Sequence, residues 1–164
     1  MTAVEQPQLT SRVVDLFLEL CAIPSPPGQE RAVADRIIRE LDAIGLEWDE
    51  DGCGPAIGST AGNVLCRVPG NVEGGVPIFL CAHFDTVPLD GDLRPVLDDG
   101  IVRNAGGTIL GAADANVFNA RGLQCVNLAN GMTDIHTPDE RIAVDDLDRM
   151  AEVTVQLVDA ALAA

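Results

Sequence analysis

Val76-Pro77-Ile78-Phe79-Leu80-Cys81-Ala82, running on into His83-Phe84-Asp85-Thr86-Val87-Pro88, is the stretch on which the fold turns. Its near-continuous apolar first half predicts a strand buried on both faces of an α/β sheet. A histidine and a carboxylate two positions apart then sit where this central strand leaves the sheet. In open α/β sheets, ligands gather outside the carboxyl ends of the strands. On an extended chain, residues i and i+2 face the same way, so His83 is placed to hold a metal ion with Asp85 behind it as orienter. A lone histidine at a strand end is more commonly a hydrogen-bonded structural residue, and H-x-D alone does not choose between the two.

Working outward toward the N-terminus, Gly74-Gly75 turns the chain into this run. Asn63 to Val68 predicts a strand stopped by Pro69-Gly70, and Leu46 to Asp49 alternates as a half-buried strand closed by Asp51-Gly52. A helix from about Gln29 carries Val33, Ile37, Ile38, Leu41 and Ile44 on one face and stops at Gly45. An earlier helix, capped by Thr10 or Ser11, presents Val13, Val14, Phe17, Leu18 and Cys21 and ends at Pro24. Ser25-Pro26-Pro27-Gly28 is a stiff connector between the two.

Beyond the lead stretch, Asp98-Asp99-Gly100 turns into a short strand at Ile101 to Arg103. Gly106-Gly107-Thr108-Ile109-Leu110-Gly111 lacks the dinucleotide spacing and reads by itself as a tight loop. Leu123 to Leu128 predicts another apolar strand, Asn130-Gly131 a turn, and His136 to Glu140 a loop. That loop leads into a last helix with Leu147, Met150, Ala151, Thr154, Leu157, Val158 and Ala161 on one face, and with Asp145, Asp146 and Asp148 at its N-terminal end.

The 164 residues suit a single domain, 47% of them hydrophobic. A net charge of −16 argues against a nucleic-acid partner, which needs clustered basic surface. All 10 basic residues are arginine, so Schiff-base, pyridoxal and P-loop chemistries, which need lysine, are excluded. The 5 cysteines are widely spaced with no C-x-x-C, against both a disulfide framework and a zinc-finger cage. No leader pattern or membrane-length apolar run occurs, so a cytoplasmic address and no membrane partner are expected. A cysteine nucleophile, Cys81 or Cys125 with a histidine, is a lesser alternative, since an apolar setting raises a thiol pKa.

Both histidines of the chain, His83 and His136, sit in loops just past apolar strands. Hydrolytic zinc sites combine imidazole and carboxylate and keep a position open for water. Ile23-Pro24-Ser25 with Gly28-Gln29-Glu30, Phe79 to Pro88, Gly106 to Ala112, and His136-Thr137-Pro138-Asp139-Glu140 together resemble the zinc-dependent exopeptidases and amidohydrolases. That family includes peptidase T (tripeptide aminopeptidase), carboxypeptidase G, acetylornithine deacetylase and succinyl-diaminopimelate desuccinylase, and the likeness is strongest to the peptidase T-like branch. The resemblance implies an α/β fold of phosphorylase/hydrolase-like type: a partial mixed β-sheet flanked by helices, in truncated form. It also implies a metal-dependent hydrolase of peptide or amide bonds, acting on short peptides as a di- or tripeptide exopeptidase.

By that resemblance His83 and His136 would each bind one of two zinc ions, and Asp85 would serve catalysis by fixing the tautomer and basicity of His83. The family's G-G-T-I-L-G-A continues into a metal-bridging Asp. Here strict register puts Ala113 in that place, with Asp114 one residue late. Asp114 is a metal ligand if the loop shifts by one residue, and otherwise a turn residue.

Asp114 to Asn119 resembles the segment where the family's chain returns from its lid domain, which makes Asn116 a substrate-binding candidate. A junction is therefore expected, joining an N-terminal part, 1–112, to a C-terminal part, 113–164, with the lid and dimerisation domain absent. No Glu-Glu pair, the family's base and ligand, occurs in the chain. One zinc or none is expected in place of two, and a catalytically incompetent remnant that at most binds metal or a partner chain is the alternative reading. Lost flanking strands predict self-association through an exposed sheet edge.

Overall fold

The computed structural model describes residues 6–86, 92–105 and 128–162. Along the chain they form α1 (Gln6–Cys21), α2 (Arg31–Ala43), β1 (Trp48–Glu50), α3 (Gly54–Ile57), β2 (Val64–Cys66), β3 (Pro95–Asp98), β4 (Ile101–Asn104), β5 (Arg141–Ala143) and α4 (Val144–Leu162). Helices flank two small sheets, the α/β composition expected.

Local chemistry sets several of these boundaries. Gly45 adopts φ 75° behind the last turn of α2 and donates its N–H to the Asp42 carbonyl, the left-handed stop that a glycine supplies without a Cβ penalty. Asp99 and Gly100, with φ 47° and 74°, make the two-residue turn that joins β3 to β4. Asp145 and Asp146 lie in the first turn of α4, where negative charge meets the positive end of the helix dipole.

Two antiparallel sheets result. β1 pairs with β2, Asp49 opposite Leu65, and β3, β4 and β5 follow in that order, Val102 opposite Ile142. The core lies where the three-stranded sheet meets α1 and α4: Val14, Val102, Ile142 and Leu147 are buried, with Val13, Phe17, Leu18, Met132 and Val144 packed around them. These are the apolar faces that the helical periodicity marks on α1 and on the start of α4. Val33 and Ala34 of α2, Ala61 and Ser25 are also buried, and the Thr60 N–H, donating to the Gly28 carbonyl, ties the proline connector to the loop after α3.

The lead stretch differs from its expectation. Residues 76–82 form no strand, and Phe79 is 77% and Leu80 57% exposed. An apolar run reports what a segment can bury, while a ladder also needs neighbouring strands. Among the described residues none pairs with this segment; its recorded main-chain tie is from Val76 N–H to the Ala161 carbonyl at the end of α4, 3.1 Å away. The other pairings described are antiparallel. The expected strand at Leu123 to Leu128 falls outside the described residues but for Leu128, which is exposed and in no strand.

Candidate active site

The i, i+2 spacing of His83 and Asp85 survives without the strand. His83 Nδ1 lies 3.0 Å from Asp85 Oδ1 and 2.7 Å from the Asp85 carbonyl oxygen. Both neighbours are acceptors, so the proton of the neutral ring belongs on Nδ1, and Nε2 keeps its lone pair. His83 is 65% and Asp85 42% exposed, which leaves Nε2 open to a ligand from solvent. This is the arrangement in which a carboxylate orients a metal-binding imidazole.

The pair is tied to the rest of the molecule immediately downstream, where Thr86 N–H donates to the Ser25 carbonyl at 2.7 Å. Ser25 is completely buried. The connector that holds it is fixed from its other end by Glu30, whose carboxylate accepts the Gly28 N–H and the Ser59 hydroxyl, each at 2.6 Å. Burial pushes the Glu30 carboxyl up, but the hydrogen bonds from Ser59 and Gly28 outweigh it and leave its pKa below the ordinary value.

His136 occupies a separate closed loop. Its φ is 68°, its N–H donates to Glu140 Oε2 at 3.0 Å, and Glu140 N–H donates to the Thr137 carbonyl at 3.1 Å. An Arg141–Asp134 ion pair of 2.6 Å closes the base of the loop beside the paired main chains of Thr133 and Arg141. Glu140 also reaches α1 electrostatically. The Cys21 thiol is pushed up to about 11, by burial first and then by the charge of Glu140. Each histidine loop thus touches or is felt by the stretch that ends α1 and follows it, Cys21 to Ser25.

Of the residues marked by sequence, His83 and Asp85 are brought together, and His136 stands in its own loop. Asp114 and Asn116 lie outside the described residues. Among the described residues no group of three or more His, Cys, Asp or Glu side chains is placed to hold a metal ion. Among the described residues the oriented imidazole of His83, with a free Nε2, offers one ligand to a zinc ion, and no gathered set for a two-ion centre is seen. Glu30 and Glu140 carry roles that residue type and spacing leave unassigned. Each lies within a motif quoted above, two residues after Gly28 and four after His136, but a carboxylate that caps a loop has no sequence signature of its own.

No protein-family profile matches the chain. Comparison with known proteins finds an uncharacterised protein, YqjE, of Bacillus subtilis, 33% identical over 103 residues, covering 63% of this chain and 28% of that one. The succinyl-diaminopimelate desuccinylase of Corynebacterium glutamicum is 35% identical over 101 residues, covering 60% of this chain and 22% of the enzyme. Among solved structures, the aminopeptidase PepT of Bacillus cereus superposes with a TM-score of 0.53 at 28% identity, over 58% of this chain and 26% of that one. Over the matched part, the chain is similar to peptidase T-like hydrolases. Its α/β architecture matches PepT over the superposed part, and it resembles an enzyme of the peptidase and hydrolase kind. It spans about a quarter of the length of these relatives. Among the described residues no helix is long and apolar enough to cross a membrane.

Proposed function

We propose that this chain is the histidine-bearing part of a peptide- or amide-bond hydrolase of the di- and tripeptide exopeptidase type, cytoplasmic in address, and that it takes a zinc ion through His83 Nε2. The observation that carries this reading is the His83–Asp85 pair: a carboxylate and a carbonyl hold the proton on Nδ1 and leave the other nitrogen free. The desuccinylase and aminopeptidase relatives support the bond type. A short peptide or acylated amine is the substrate class that follows.

Zinc titration of the purified chain by calorimetry tests the metal, and release of amino acids from di- and tripeptides tests the reaction. Saturable zinc uptake that disappears in His83→Ala is the expected result. Uptake that is equal in both proteins removes the assignment.

A second reading is favoured by the absence of a gathered ligand group among the described residues and of any Glu-Glu pair in the chain. In it the chain binds the cation and does not turn over. Loss of a general base alone costs about 10²–10⁴ in rate. Zinc uptake at His83 with no amino acid released above the His83→Ala control selects this reading over the first.

A further inference from the structure

We infer that Glu30 is a positioning residue for the His83–Asp85 pair, acting through the proline connector. Glu30 stands at the N-cap of α2, yet its side chain makes no hydrogen bond to that helix. The carboxylate turns back to accept Gly28 N–H and Ser59 Oγ–H, each at 2.6 Å, and both are short charge-assisted bonds. The Gly28 carbonyl in turn accepts the Thr60 N–H at 3.1 Å. Gly28 has φ 89°, and a Cβ there would stand 3.0 Å from the Gly58 carbonyl oxygen. The connector is thereby pressed against the loop after α3 at a point where only glycine is free of strain.

From Gly28 the constraint runs back along the chain. Pro26 and Pro27 have their φ angles fixed by their rings, and Gln29 N–H closes a turn on the Pro26 carbonyl at 2.9 Å. Little freedom remains between Gly28 and Ser25. The Ser25 hydroxyl is buried and has no hydrogen-bond partner among the described residues, so its hold on the site is through the main chain. That hold is the 2.7 Å bond to Thr86 N–H, one residue beyond the Asp85 that orients His83. Removing the Glu30 carboxylate frees the Gly28 N–H and leaves the Ser59 hydroxyl to the Ala61 carbonyl, 2.8 Å away, so the stiff segment whose other end fixes Thr86 loses this anchor.

The functional importance of this role rests on His83 being a cation ligand; the geometry does not. The two are separated by recording the His83 ring nitrogens by long-range ¹H–¹⁵N correlation on the full chain without metal, at a pH where the ring is neutral. The wild type is expected to show Nδ1–H. In Glu30→Ala the His83 signals shift toward those of a mixed tautomer population, those of His136 stay in place, and Glu30→Gln, which retains one acceptor, falls between.

Zinc affinity is expected to fall about tenfold in Glu30→Ala. A tautomer shift without zinc binding in any variant sinks the cation reading and leaves the positioning role standing. Unchanged His83 signals in a folded Glu30→Ala overturn the role, even if the melting temperature drops. Should Glu30→Ala not fold, Ser59→Ala removes a single donor from the same carboxylate: a smaller shift of His83 supports the role, and no shift overturns it.

Discussion

Arg31 Nη1 reaches both carboxylate oxygens of Glu50, at 2.7 and 2.9 Å, and fastens the first turn of α2 to the end of β1. The same carboxylate accepts the Gly62 N–H at 2.8 Å, so one side chain ties a helix, a strand and a loop. Glu50→Ala is expected to cost about 1–2 kcal/mol, the value of charged hydrogen bonds reduced for partial exposure. For a chain of this size that lowers the melting temperature by about 2–8 °C. An unchanged circular-dichroism melt contradicts it.

Acid should destabilise the fold. Arg31 beside Glu50, and Arg12 and Arg36 beside Glu40, hold those carboxyls below the ordinary value, and Asp51 is held down by hydrogen bonds from Cys53 and Asn63. A carboxyl with a lower pKa folded than unfolded stabilises above its unfolded pKa and loses that contribution as pH falls through the folded one. In about 0.15 M salt, where long-range repulsion is screened, the urea midpoint should hold from neutrality to about pH 5 and fall below about pH 4. A midpoint that rises on going from pH 5 to pH 3 has the wrong sign.

Ile142, 2% exposed, sits opposite Val102 in the sheet and packs toward α1 and α4. Ile142→Ala is expected to cost about 2–5 kcal/mol, from lost transfer energy and the cavity left behind. Val158→Ala, on the outer part of α4, should cost less than about 1 kcal/mol. Equal losses in the two variants place the core elsewhere.

The thiols should react in order of exposure. Cys66 and Cys81 are exposed, while Cys21 is half-buried with its pKa at about 11. At pH 8, iodoacetamide is expected to label Cys66 and Cys81 well before Cys21, as read by peptide mass spectrometry. Early labelling of Cys21 contradicts its burial.

Gly62 lies tight against neighbouring main chain. A Cβ there would lie 2.0 Å from the Asp51 carbonyl oxygen, and main chain cannot yield as a flexible side chain does. Gly62→Ala should separate β1 from β2 and lower the melting temperature, whereas Gly70→Ala, with open space around it, should not.

What the sequence discloses here is local. Gly45, Asp99-Gly100 and the apolar faces of α1 and of the start of α4 carry their instructions within a few residues and appear where periodicity or turn chemistry puts them, whereas Leu157 and Val158, on the same predicted face of α4, stay exposed. The ends of β1 and β2 shift by a residue or two, because pairing, not composition, sets them. The run 76–82 fails for a different reason: its strand character depends on partners elsewhere, which no reading of the run itself supplies. The candidate site divides the same way. His83 and Asp85 are legible as a pair because i, i+2 spacing is short-range information, whereas the service of Glu30 and Glu140 depends on contacts made by folding.

The prolines at 24, 26 and 27 restrict the disordered chain as much as the ordered one. Docking Ser25 against Thr86 therefore freezes little additional backbone motion. The segment joins the end of α1 to the main chain of Thr86, one residue past the carboxylate that orients the imidazole, and does so at small entropic cost.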